Sequence, residues 1–111
     1  MAKKISKEDL QKKLERNNEQ FHLVEVLKPD EYSNLHIKGA INIPLESIGK
    51  ESRAKFSNDD EIVVYCSDSS CTASPKAAEK LEKLGFKNVY HFKGGKKEWI
   101  EAGLPTESGQ N

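Results

Sequence analysis

The only two cysteines of the chain, Cys66 and Cys71, stand in one short polar segment, CSDSSCTAS, directly after the apolar run Ile62 to Tyr65. A thiol at a strand end, with a helix opening a few residues later, faces backbone N–H groups and the positive end of a helix dipole. Both favour the thiolate over the thiol. The chemistry of such a thiolate is nucleophilic: attack on a sulfur donor, then transfer of what it captures. Ser67, Asp68, Ser69 and Ser70 are small and polar, so their amides can curl around a bound sulfur or anion, and Ser67, Ser69, Ser70 and Thr72 add hydroxyl donors. The alternative is a packing cysteine, because a free thiol also behaves as a small apolar group.

The elements that must hold this turn alternate between strand and helix. Ser6 can cap a first helix carrying Leu10 and Leu14 and ending near Asn17-Asn18. Strands are predicted for FHLVEV (21–26), INIP (41–44), IVVY (62–65) and NVYHF (88–92). A short helix follows Pro29, and Leu45, Ile48 and Phe56 anchor a polar, helical or irregular stretch. Ala73, Ala77, Leu81 and Leu84 share one helical face, with Pro75 in the first turn and Gly85 just past the end. Gly94-Gly95 reads as a turn needing positive φ before a last helix with Trp99 in the core. Strand–helix alternation implies a parallel sheet covered on both faces, with ligands at the carboxyl ends of its strands.

With 111 residues the chain has room for one core, and residues 1–111 are read as a single domain with frayed ends at 1–4 and 106–111. Eighteen basic against eighteen acidic residues leave no net field for nucleic acid or anionic membrane. No apolar run approaches the ~20 residues of a membrane span. The start, MAKKISKEDL, lacks the apolar segment of a secretory signal, so the expected location is cytoplasmic, where cysteine serves reactivity rather than stapling. Two cysteines with His22, His36 and His91 scattered do not make a zinc site, and no cofactor is implied. His36 reads as a structural hydrogen-bonder, His91 as solvated or packed rather than an acid, and Glu25 as a support for loop amides. The Lys3-Lys4, Lys12-Lys13 and Lys96-Lys97 pairs read as solvated faces.

Taken together, these segments resemble the rhodanese-like sulfurtransferase domain. LVEVLKPDEYSNLHIKGAINIPL is similar to that family's LVDVR-x-x-x-E-Y-x-x-x-H-I-x-G-A-x-N-I-P segment. VVYC opens its active-site loop, and KAAEKLEKLGFKNVYHFKGGKKEWIEAGLP is similar to its closing helix, strand, double glycine, tryptophan and Gly-Leu-Pro. The resemblance covers nearly the whole chain. It implies a three-layer α/β/α domain with a small parallel sheet of about five strands. It further implies that Cys66 is the persulfide-forming nucleophile, with Ser67, Asp68, Ser69, Ser70, Cys71 and Thr72 as its cradle. The expected partners are a small sulfur donor (persulfide, polysulfide, mercaptopyruvate or thiosulfate) and a thiol acceptor.

Departures from the family pattern bear on the donor. Members that use thiosulfate usually carry a basic residue directly after the nucleophile, and many carry arginine at the fifth position beyond it. Ser67 and Cys71 occupy those places here, with Asp68 between them. Asp68 would repel a dianion by an amount on the order of 1 kcal/mol near a surface. This disfavours thiosulfate relative to a neutral, weakly charged or protein-bound persulfide. Thr72, not arginine, stands six positions after Cys66, which excludes the phosphate clamp of cysteine phosphatases. Cys71 admits two readings: a resolving thiol, closing a disulfide that a thioredoxin-like reductant reopens, or a small residue tolerated at a helix start. A thiol–disulfide protein and a non-catalytic sulfur-carrier or interaction module remain the alternatives to an enzyme.

Overall fold

A computed structural model of the protein describes residues 2–16 and 19–109. Its centre is a parallel sheet of five strands in the order β1-β6-β5-β2-β4. These are β1 (Lys3–Lys4), β2 (Phe21–Glu25), β4 (Ile41–Asn42), β5 (Glu61–Tyr65) and β6 (Asn88–His91). The alternation within β5 is the reason it lies in the middle. Ile62 and Val64 point into one core with Val24, Ile48, Ala77, Leu81 and Val89. Val63 and Tyr65 point into the other with Leu10, Leu23, Tyr32, Phe92 and Trp99. A strand apolar on both faces is stable only between two helical layers. The first layer is α3 (Ile48–Lys55) and α4 (Ala73–Lys83); the second is α1 (Lys7–Glu15), α2 (Pro29–Asn34) and α5 (Gly95–Glu101).

Local signals act as their chemistry requires. Ser6 Oγ accepts from the Asp9 amide at 3.1 Å, capping α1. The expected end of that helix at Asn17-Asn18 lies outside the described residues. Gly85, at φ +101°, ends α4: its amide donates to Glu82 O, and the Phe86 amide reaches back to Leu81 O. This paired arrangement returns the chain toward β6 and packs Phe86 in the same core as Leu81.

The ends differ from expectation. Residues 1–4 and 106–111 read as frayed, yet Lys3–Lys4 is the edge strand beside β6. Thr106–Glu107 (β7) pairs antiparallel with β3 (His36–Ile37). Polar side chains hid both, because a two-residue strand on a sheet edge is held by backbone bonds and needs no apolar face. The His36 imidazole is fully buried, stacks on Tyr32 and places Nδ1 2.8 Å from Tyr32 O, the structural role expected of it. The Trp99 indole is buried and donates to Pro105 O at 2.8 Å, tying the chain after α5 to the core.

Candidate active site

The apolar register of β5 carries Cys66 to the carboxyl end of the central strand, where it is only 1% exposed. The first turn of α5 fixes it from behind. Lys96 N donates to Cys66 O and Lys97 N to Ser67 O, each at 2.9 Å. Gly95 allows that approach: its φ is +63°, and a Cβ there would stand 2.5 Å from Cys66 O and 3.0 Å from Asp68 N. Gly94, in contrast, has an ordinary helical backbone (φ −64°), so only one residue of the double glycine needs positive φ. Gly95→Ala combines a left-handed backbone with a clash against backbone atoms, and is expected to cost about 1–3 kcal/mol or more. Urea unfolding measures this; a variant within about 0.5 kcal/mol of the parent would show that α5 does not clamp the loop.

Within the loop, Asp68 is the organiser. Its carboxylate accepts from the Ser70 hydroxyl at 2.7 Å and the Ser70 amide at 3.0 Å, and its carbonyl accepts from the Cys71 amide at 3.2 Å. The two Ser70 bonds hold the Asp68 carboxyl below the usual aspartate range. Ser70 therefore directs its amide and hydroxyl to Asp68. Ser69 and Thr72 are exposed, Ser67 is half-exposed, and Thr72 precedes α4 without a side-chain cap bond.

Cys66 and Cys71 are joined as a disulfide, with their Cα atoms 6.4 Å apart. That separation falls within the ~7 Å reach of a disulfide without backbone movement. The two sulfurs are not equivalent, because Cys66 is buried and Cys71 half-exposed.

On its inner side Cys66 Sγ lies 3.2 Å from Ser74 Oγ, and Ser74 Oγ lies 2.7 Å from His91 Nε2. Ser74, in the first turn of α4, is 1% exposed; His91 ends β6. Burial, then the charges of Lys93 and Lys4, lower the His91 pKa below the ordinary histidine value. His91, read as solvated or packed, is half-buried and partnered by Ser74. A signal was present: in a parallel sheet the carboxyl ends of neighbouring strands share one site, and His91 ends the strand beside β5.

Glu25 is corrected too. It supports the loop through Tyr65 and Lys96 rather than through loop amides. The Tyr65 hydroxyl donates to Glu25 Oε1 at 2.8 Å and accepts from the Ile37 amide at 3.1 Å. Lys96 Nζ stands 3.1 Å from Glu25 Oε2 and donates to Leu35 O at 2.7 Å and Glu31 O at 3.1 Å. Lys96 therefore turns inward instead of forming a solvated face with Lys97, and its charge is committed to Glu25. On the outer side of the loop a depression of about 340 Å³ is lined by Asp68, Ser69, Ser70, Gly94, Lys97, Glu98 and Glu101. Three carboxylates against one ammonium make it a poor seat for a dianion.

Comparison with known proteins places residues 6–102 in a match to the family model described as Rhodanese-like domain. The chain is 38% identical over 77 residues to the uncharacterized protein YqhL of Bacillus subtilis, covering 69% of this chain and 59% of that one. It is 32% identical over 90 residues to the thiosulfate sulfurtransferase GlpE of Vibrio cholerae, covering 80% and 81% respectively. The crystal structure of BH2092 protein from Bacillus halodurans superposes with a TM-score of 0.88 at 28% identity, over 96% of this chain and 77% of that one. The chain spans between 38% and 49% of the length of three other curated relatives.

Proposed function

The chain belongs to the rhodanese-like domain family, and from that premise we propose that it is a sulfurtransferase carrying sulfane sulfur as a persulfide on Cys66. The supporting observation is a buried cysteine at the carboxyl end of the central strand, its carbonyl clamped by α5 and its sulfur beside a buried hydroxyl. In the first half-reaction the Cys66 thiolate attacks the outer sulfur of a donor persulfide. A bond from Sγ to that sulfur forms, the donor's S–S bond breaks, and the donor leaves as a thiolate. In the second, an acceptor thiolate attacks the outer sulfur of the Cys66 persulfide and Cys66 leaves as thiolate. The carboxylates around Asp68 and the commitment of Lys96 to Glu25 favour a weakly charged persulfide or polysulfide over thiosulfate. Intact-mass analysis of the reduced protein after incubation with glutathione persulfide, polysulfide, mercaptopyruvate and thiosulfate tests this. One added sulfur on Cys66 is expected with the first two. No adduct with any of the four would overturn the reading.

The Cys66–Cys71 disulfide favours a second reading, in which Cys71 resolves the persulfide. The Cys71 thiolate attacks Cys66 Sγ, the bond between Sγ and the outer sulfur breaks, and hydrosulfide departs. A dithiol reductant of the thioredoxin type then attacks the more exposed sulfur, Cys71, and releases Cys66 as thiolate. In this reading the protein empties its sulfur as sulfide rather than passing it to an acceptor.

A further inference from the structure

The inner side of Cys66 carries an arrangement that neither sulfur-transfer scheme has used. Ser74 Oγ bridges Cys66 Sγ, at 3.2 Å, and His91 Nε2, at 2.7 Å. Three secondary-structure elements converge to make this chain, since Cys66 follows β5, Ser74 belongs to α4 and His91 ends β6. Ser74 is 1% exposed, so its hydroxyl is partnered inside the protein rather than by bulk water. In the disulfide the Cys66 sulfur can only accept; once the disulfide is reduced, the buried hydroxyl stands between a thiol and an imidazole and can pass a proton in either direction, because it donates and accepts at once.

We propose that Ser74 and His91 form a proton relay that generates and stabilises the Cys66 thiolate, with Ser74 the catalytic hydroxyl and His91 the positioning base behind it. The proposal rests on Cys66 being the nucleophile. In the resting thiol, Cys66 S–H donates to Ser74 Oγ and Ser74 O–H donates to neutral His91 Nε2. On activation the S–H bond breaks and its electron pair stays on sulfur. Its proton bonds to Ser74 Oγ, while the original Ser74 proton moves to His91 Nε2. The result is a thiolate accepting from Ser74 and an imidazolium behind it, with no net gain or loss of protons. When an acceptor removes the outer sulfur, the pair from the broken S–S bond stays on Sγ as thiolate, and the same Ser74 O–H donates a hydrogen bond to it.

The charges around His91 suit a base rather than a resting cation. Lys4 lies opposite His91 in the β1–β6 register and Lys93 follows just beyond the strand end; both disfavour a second positive charge. Burial, and then these two charges, hold the His91 imidazole below the ordinary histidine value, and a thiolate formed behind Ser74 favours its protonation. That coupling is reciprocal: the thiolate raises the proton affinity of His91, and a protonated His91 raises the thiolate population.

The test needs no mutation at first. His91 is titrated by NMR in the disulfide and in the reduced full-length protein. Its midpoint is expected to be higher after reduction, and Ser74→Ala is expected to remove the difference. The same midpoint in both forms, or a difference that survives Ser74→Ala, overturns the relay. The second arm measures the pH dependence of Cys66 alkylation with all variants in the Cys71→Ser background, so that one thiol reports. Ser74→Ala and His91→Gln are each expected to slow alkylation at pH 7 by about tenfold, one pKa unit of thiolate population. The double variant is expected to be no slower than either single one. Unchanged profiles, or losses that multiply, overturn the relay. Intact-mass uptake of sulfur by the parent, run in parallel, separates the two claims. Uptake with no relay signature refutes only the relay, whereas absence of uptake refutes Cys66 as sulfur carrier.

Discussion

Serine in place of Cys66 is expected to abolish sulfur uptake, with a loss on the order of 10³-fold or more, because a hydroxyl neither ionises near neutral pH nor attacks sulfane sulfur as a thiolate does. The measurement is the added mass of one sulfur after exposure to glutathione persulfide, with the fold checked by thermal melting. Retained uptake on Cys66→Ser would move the chemistry to Cys71. For Cys71→Ser the two readings diverge. If Cys71 is the resolver, sulfide release driven by a dithiol reductant falls to background and persulfide accumulates on Cys66. If the acceptor arm is the working one, sulfide release in the parent is already slow and the variant hands sulfur to an acceptor thiol. The half-exposed position of Cys71 over buried Cys66 bears on both, since a donor reaches Cys66 only once the disulfide is open.

The parts of the fold legible in the sequence were those whose signal is apolar. The run Ile62 to Tyr65 marks a strand buried on both faces, and Ala77, Leu81 and Gly85 mark the helix and stop of α4. What escaped were elements held by backbone pairing with little burial, β1 and β7, whose Lys3-Lys4 and Thr106-Glu107 look like solvated tails. The site divides the same way. Cys66 at a strand end was visible because strand and turn chemistry are local. The contacts of Ser74, His91 and Lys96 were not, because they depend on how α4, β6 and α5 pack around the loop. Lysine next to lysine on a short helix reads as a solvated face, and only the packing of α5 shows that Lys96 is 13% exposed while Lys97 stays outside. Cys71 could be placed on the loop, but whether its sulfur meets Cys66 depends on a Cα separation that spacing alone does not fix.

The inward lysine carries the other large effect. Lys96→Met leaves the fully buried Glu25 carboxyl facing an apolar side chain, with Tyr65 as its remaining hydrogen-bond donor in the pair of contacts described. Breaking one partner of a buried ion pair costs about 3–5 kcal/mol, whereas replacing both by groups of similar shape is nearly neutral. Urea unfolding at pH 7 should therefore show a loss of that size for Lys96→Met and recovery of most of it in Glu25→Gln/Lys96→Met. The pH dependence follows from burial, which already raises the Glu25 carboxyl above its ordinary value against the pull of Tyr65 and Lys96. Removing the ammonium raises it further. In the window above the unfolded glutamate value of about 4.3, the folded state then holds a proton that the unfolded state has released, so stability falls as pH rises. Lys96→Met is accordingly expected to lie closest to the parent near pH 4 and furthest from it at pH 7. A variant within about 1 kcal/mol of the parent at pH 7 would mean that Glu25 is satisfied without Lys96. The consequence reaches the sulfur through two short links: Tyr65 immediately precedes Cys66, and the amide of Lys96 itself holds the Cys66 carbonyl. A variant that keeps its fold but loosens this brace should lose sulfur uptake faster than stability, because the lost ammonium anchored the residue whose amide holds the Cys66 carbonyl.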